Sequence, residues 1–402
     1  MMPTDLAPKP KMAVASWSFH EEFNDPVVKP PFSPEEFMET CARDVQIPYV
    51  ELLYTHLMHP VSPGETGEQS SVEHPTQDRL EAIRNRAEEL GVKIVCLAVN
   101  NDFVSSGATE RSADIEYVIE CVERAHQLGA GLVRINAGIS RCSGEVVATF
   151  IDSVKQVRDG SPHLQHTGPG SVRLVLENQG GITQDAYNLM DIMLRAESEL
   201  GPNVLGVCLD TGNSTATDCV KCIKLLARTS LPCRMDVDPE QWTPSREKQR
   251  YAAQRLQTAR LLSRSLDPSL QDPSWPRLEL VDQSSLNKNF IAHVHAKSYS
   301  LNPLAPLCSL QTDYSHILWQ LFLSRYDGYF SVEYEGQEGF SDGGPYEYEE
   351  EEPYTERTTF EARGPLGPRQ RRQNTVDAIR NLRRLIMDTY RDYAQDMRGD
   401  TP

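Results

Sequence analysis

The chain has 402 residues, enough to bury a large core in one or two α/β domains. Its formal net charge of −18 argues against a nucleic-acid surface, which needs clustered Lys and Arg, and the run Arg369–Arg372 is too short to reverse that. No apolar run reaches the roughly 18 residues of a membrane span, and MMPTDLAPKPK lacks the apolar centre of a signal peptide, so a cytoplasmic location is expected.

The first predicted strand is MAVASWSF (12–19). A helix follows in SPEEFMETCARD, with Ser33 as cap, Pro34 at the first helical position and Glu36 three residues after the cap. YVELLY (49–54) is the second strand, and a helix is predicted from Thr76 to Leu90. VKIVCLAV (92–99) precedes a helix near Asp114–Leu128, and GLVRINA (131–137) precedes one near Glu145–Arg158. VRLVLEN (172–178) leads to Gln184–Glu199, and VLGVCLD (204–210) leads to Asp218–Ala227. The rhythm then breaks: 229–288 holds a charged helical piece, Ser245–Leu262, and a Pro/Ser/Asp-rich stretch, far more than a usual connection. It reads as an insertion. The pattern resumes with IAHVHAK (291–297), a helix near Tyr314–Arg325 and YFSVEYE (329–335). An acidic, Gly/Pro-rich loop over 336–373 precedes a last helix at Thr375–Tyr393, with Asn374 and Asp377 at its start.

Eight strand candidates alternating with helices fit a single (β/α)₈ TIM barrel over 1–402, with a long insertion between the sixth and seventh strands. The rival is an open doubly wound sheet, which would place a Gly-rich phosphate loop after the first strand. ASWSFHEEF holds no glycine, and GxxxxGK[ST] is absent. Of the nine cysteines, Cys219 and Cys222 form a CxxC on a helical pattern with no second pair or histidine to complete a zinc set. Reduced, buried thiols are expected.

A barrel gathers the C-terminal ends of its strands at one mouth. Four polar groups lie late on the fifth to eighth strands: Glu177, Asp210, His295 and Glu333. Three carboxylates and an imidazole suit one divalent ion, Mn²⁺ in the first place, with Mg²⁺, Co²⁺ or Zn²⁺ as alternatives. Without a cation the converging carboxylates would repel and take up protons. In FIAHVHAKSY, strand alternation puts His293, His295 and Lys297 on one face. His295 is the expected ligand, His293 a supporting histidine deeper in the barrel, and Lys297 a substrate contact nearer the mouth.

LENQGG, LDTGN, HVHAKSY and DGYFSVEYEG, in that order, resemble the xylose isomerase-like barrel superfamily and its sugar phosphate isomerase/epimerase members. The likeness runs from about Met12 to Glu335 and is interrupted at 229–288. It implies that Glu177, Asp210, His295 and Glu333 bind one metal and that Glu177 and Glu333 flank the substrate as acid/base residues. The implied activity is isomerisation or epimerisation of a small ketose or sugar-like molecule through proton abstraction and a metal-stabilised enediolate. Characterised ketose epimerases of that family carry a histidine three residues after the aspartate and an arginine six after the histidine. This chain has Asn213 and Leu301 there. Two alternatives therefore stand: dehydration of a keto-polyol such as an inosose, and a non-catalytic barrel acting as a ligand-binding or partner subunit. An abasic-site endonuclease on the same barrel is disfavoured by the acidic charge. Barrels of this type often associate, so a homo-oligomer is also expected.

Further substrate-binding candidates are Asn213, His56 after the second strand, and Trp17 as an apolar floor. Arg134 on the fourth strand faces either a substrate anion or a neighbouring carboxylate. Glu51, late in the second strand, is expected to pair with Lys297.

Overall fold

The computed structural model describes residues 7–24, 32–57, 74–104, 107–140, 143–165, 168, 170–213, 216–227, 289–298, 314–335 and 368–398. The expected insertion at 229–288 with its expected helical piece Ser245–Leu262, Leu301, and residues 336–367 of the expected acidic loop lie outside these residues.

Eight strands form: β1 (Lys11–Ala15), β2 (Tyr49–Leu53), β3 (Lys93–Ala98), β4 (Leu132–Ile135), β5 (Arg173–Glu177), β6 (Leu205–Asp210), β7 (Ile291–Ser298) and β8 (Tyr329–Tyr334). They pair in parallel in chain order, and β8 closes onto β1 through Lys11↔Tyr329 to Val14↔Val332. The long helices are α1 (Pro34–Thr40), α2 (Gln77–Leu90), α3 (Ala108–Leu128), α4 (Gly144–Gly160), α5 (Ala186–Leu200), α6 (Ala216–Leu226), α7 (Tyr314–Leu323) and α8 (Pro368–Arg398). Each follows the strand of the same number, which is the (β/α)₈ barrel.

Local chemistry starts several of these helices. Ser33 and Glu36 form the expected capping box on α1, with Pro34 at its first position. Thr76, Ser143 and Asp185 cap α2, α4 and α5 with side-chain oxygens. The helices pack on the barrel through a continuous apolar layer that includes Phe37, Leu97, Phe150, Leu176, Ile192 and Phe322. Inside the barrel a small cluster of Ala13, Val95 and Cys96, edged by Tyr49, Leu132 and Tyr329, occupies the strands' early positions.

Several expected boundaries move, among them the start of α3, at Ala108 rather than near Asp114. β1 stops at Ala15, and Ser16–Phe19 make a 3₁₀ turn, because their hydroxyls serve neighbouring backbones. Ser16 Oγ accepts from Leu53 N at 2.8 Å, while Ser18 Oγ accepts from Tyr334 N at 2.9 Å and donates to Val332 O at 3.1 Å. The last helix starts at Pro368 rather than at Thr375. Proline suits a first helical position, and Asn374 is inside the helix, accepting from Gln370 Nε2 at 2.9 Å instead of capping it. The six described cysteines, Cys219 and Cys222 among them, are buried. Among the described residues no helix is long and apolar enough to cross a membrane.

Candidate metal centre

Strand register brings the four late polar residues together. Asp210 on β6 pairs with His295 on β7, and Lys297 on β7 pairs with Glu333 on β8. Glu177 ends β5 and pairs with Cys208, two residues before Asp210. One ligand atom from each of Glu177, Asp210, His295 and Glu333 lies within 4.8 Å of the others. All four are at most 5% exposed. His295 Nδ1 is 2.9 Å from Glu177 Oε1, 3.7 Å from Glu333 Oε2 and 3.8 Å from Asp210 Oδ2.

The carboxylates are aimed by their surroundings. Asp210 Oδ1 accepts from Gly212 N at 2.6 Å and Asn213 N at 3.0 Å, an Asx turn made by the DTGN sequence. That leaves Oδ2 toward the histidine. Asn178 Nδ2 donates to Asp210 O at 3.0 Å and its Oδ1 accepts from Asp210 N at 2.6 Å, locking the end of β5 to the end of β6. His295 is held from behind, since its Nε2 lies 3.0 Å from Glu51 Oε1. Glu51 in turn accepts from His293 Nε2 at 2.7 Å.

The donor set fits a divalent ion. Asp210 Oδ2 and Glu333 Oε2 are buried and receive no well-formed hydrogen bond. Lys297 Nζ is near both, at 3.0 and 3.2 Å, but as an ion pair of poor hydrogen-bond geometry. Burial pushes Glu333 up to about 7 even with Lys297 and His295 beside it, and repulsion from Asp210 and Glu177 adds to the rise. Burial opposes the charge on Asp210 as well, yet Lys297 and His295 hold it below the usual carboxylate range. Burial likewise works against a charged His295, but Cys208, Glu51 and Glu333 outweigh it and raise its pKa well above the histidine norm. Converging carboxylate oxygens around an imidazole, without well-formed hydrogen bonds, are what a bound divalent cation would satisfy.

The other expected site residues take different places. Lys297 and Asn213 are at the cluster, with Nζ 3.3 Å from Asn213 Oδ1. Arg134 faces a carboxylate: its Nη1 is 3.5 Å from Glu177 Oε2 and donates to Val99 O and Asn136 Oδ1. Trp17 stands at the mouth, half-buried, stacked on His20 and donating from Nε1 to Glu335 Oε1 at 2.9 Å. His56 is set against β1, with Nδ1 2.9 Å from Ser16 Oγ and its ring flat on Phe23. Glu51 needs correction: it pairs with His293 and His295, not with Lys297, and is only 2% exposed. It meets His293, two residues before His295 on β7, and the far nitrogen of His295, so it lies beneath the ligand atoms. His293 joins it there, as expected for a supporting histidine.

Three contributors escaped the sequence reading: Asn178, Thr211 and Glu335. Thr211 N donates to His295 O at 3.0 Å and its Oγ1 accepts from Lys297 N at 3.1 Å. Glu335 Oε1 meets Lys297 Nζ at 3.0 Å. The polar pair Glu-Asn at the end of β5 was the available signal for Asn178.

A closed eight-stranded parallel barrel with this polar cluster at the strands' C-terminal ends is a (β/α)₈ barrel with a candidate metal centre. The chain belongs to the xylose isomerase-like TIM barrel family, whose model matches residues 49–358. Among solved structures it is similar to an L-ribulose 3-epimerase at 13% identity and a TM-score of 0.50, covering 96% of this chain and 98% of that one. A D-psicose 3-epimerase with D-tagatose from Clostridium cellulolyticum H10 matches at 10% identity and TM-score 0.46, over 80% of this chain and 84% of that one. The probable 3-DHS dehydratase AsbF from Bacillus anthracis matches at 12% identity and TM-score 0.44, over 80% and 92%. At these identities the likeness is one of fold. No curated protein sequence matches the chain.

Proposed function

We propose that this protein is a divalent-metal-dependent isomerase or epimerase of a small ketose or sugar-like polyol, with Glu177, Asp210, His295 and Glu333 as ligands and Mn²⁺ as the first candidate ion. The observation that carries the reading is the convergence of these four side chains at one end of the barrel, two of them with buried oxygens that receive no well-formed hydrogen bond. The epimerases among the structural neighbours agree with it. A divalent ion held there would polarise a substrate carbonyl and its neighbouring hydroxyl and acidify the C–H between them.

The chain's own residues then move the proton. Glu177 takes it from one side, and the electron pair of the broken C–H bond enters the carbonyl. Arg134 keeps Glu177 in place at Oε2. If Glu333 returns a proton to the opposite side of the same carbon, that centre inverts and the product is an epimer. If the proton returns to the adjacent carbon, the product is an aldose–ketose isomer. Lys297, Asn213 and Trp17 border the cluster with donors that suit sugar hydroxyls.

Purified protein should carry about one divalent ion per chain and catalyse exchange of a carbon-bound proton with solvent in a screen of ketoses, polyols and inososes. Glu177→Gln and Glu333→Gln should stay folded and lose turnover by a factor of at least about 10². Full turnover in both variants would sink the assignment. Release of water from an inosose would instead identify a dehydratase, and a metal-loaded protein without exchange on any compound would identify a binding barrel.

A further inference from the structure

Lys297 is a cation placed against the oxygens that the proposed metal would use. Its Nζ lies 3.0 Å from Asp210 Oδ2 and 3.2 Å from Glu333 Oε2. On its outer side it meets Glu335 Oε1 at 3.0 Å and Asn213 Oδ1 at 3.3 Å. The inner pair is buried, whereas the Glu335 side chain is 24% exposed, so the ammonium spans the boundary between cluster and mouth. Its stem is held close. A Cβ added at Gly212 would come within 2.6 to 2.9 Å of Lys297 Cδ, Cγ and Cβ, so the glycine gives the lysine stem its room. Thr211 Oγ1 binds the Lys297 backbone N–H at 3.1 Å, and Trp17 Nε1 fixes Glu335 at 2.9 Å. Both ends of the lysine's reach are thus built in.

We propose that Lys297 is an internal counter-cation that competes with the divalent ion for Asp210 and Glu333 and is received by Glu335 and Asn213 when the ion is bound. This rests on the metal centre proposed above and adds a control on its loading. The physical argument has one sign. A cation that relieves repulsion between Asp210 and Glu333 stabilises the metal-free site, and the same cation repels an ion arriving at the same oxygens. Both effects weaken metal binding, so the lysine sets how much free metal the protein needs. An arm that only oriented the ligands would act the other way, because its loss would loosen the site.

Calorimetric Mn²⁺ titration of the full chain tests this, with thermal unfolding in parallel. Lys297→Met and Lys297→Gln should bind Mn²⁺ at least tenfold more tightly than wild type, with a lower Tm without metal and a larger rise in Tm on adding it. Asp210→Asn should lose binding. Glu335→Gln, at the more exposed position, should weaken Mn²⁺ binding in the wild-type background and lose most of that effect in the Lys297→Met background. If both lysine variants bind Mn²⁺ no more tightly than wild type while Asp210→Asn still loses it, the counter-cation proposal falls and the metal centre stands. Equal effects of Glu335→Gln in both backgrounds overturn the outer station. If neither wild type nor any variant binds a divalent ion, both readings fall.

Discussion

Glu51→Gln is the most informative single change, because it alters charge and hydrogen bonding without altering shape. Glu51 is 2% exposed and receives two imidazoles, His293 Nε2 at 2.7 Å and His295 Nε2 at 3.0 Å. Burial opposes its ionisation, yet His295 and His293 hold its pKa well below the usual carboxylate range. A carboxylate can accept from both rings, and by taking the proton side of His295 at Nε2 it leaves Nδ1 as the ligand atom. A glutamine has one carbonyl oxygen, so one imidazole must face the amide NH₂. If that ring is His295, it must move its proton to Nδ1, the atom 2.9 Å from Glu177 Oε1, and ligation there is blocked. Loss of such a supporting partner costs about 10- to 100-fold in metal affinity, which is about 1.4 to 2.7 kcal/mol. Replacing the buried anion outright, as in Glu51→Leu, should also cost about 3 to 5 kcal/mol of stability by leaving a charged partner unpaired. Mn²⁺ calorimetry and urea unfolding read the two effects separately. Wild-type Mn²⁺ affinity in Glu51→Gln would refute the idea that Glu51 sets the His295 tautomer.

Three further outcomes follow from single contacts. Asn178→Leu removes both bonds to the Asp210 backbone, leaving its buried N–H without the amide oxygen and its C=O with only the Cys219 thiol, at a cost of about 1 to 3 kcal/mol in urea unfolding and with weaker Mn²⁺ binding as Asp210 loses its anchor. His56, pushed down to about 3 by burial and by His20, stays neutral in the folded protein while the unfolded chain takes up a proton below about 6.5. Stability should therefore fall as pH drops from about 6.5 toward about 3, by about 2 kcal/mol at pH 5, and His56→Asn should remove that part of the slope. A slope unchanged in the variant would place the acid sensitivity elsewhere. Gly212→Ala should displace the Lys297 stem and shift Mn²⁺ affinity in the same direction as Lys297→Met, with the fold retained by circular dichroism.

Much of this was legible in the sequence because it depends on local pattern. Short apolar runs between capped helices marked all eight strands, and the polar residue late in each of β5 to β8 marked the ligand candidates. Less was legible where hydroxyls or prolines override the pattern. SWSF has strand-like spacing, but Ser16 and Ser18 spend their hydroxyls on Leu53, Val332 and Tyr334, which turns the chain. PRQRRQ looked like loop because it follows an acidic, glycine-rich stretch, although its residues after Pro368 are good helix formers. Asn178 was missed because its bonds run to a backbone 32 positions away, which no local motif records.

Glu51 shows what strand alternation leaves open. Alternation put His293, His295 and Lys297 on one face, and Glu51 is buried against the same face. Parity says nothing about depth, because depth depends on how far each strand is sheared along its neighbour, and in a tilted barrel one interior layer draws on alternate strands. Contacts supply that: Glu51 meets His293, two residues before His295 on β7, and the far nitrogen of His295, whereas Lys297 stands beside Glu333 at the end of β8. The same carboxylate that would have contacted substrate one layer higher instead meets the far nitrogen of His295. Its charge therefore acts through the histidine, and Glu51→Gln should change metal affinity before it changes recognition of any sugar.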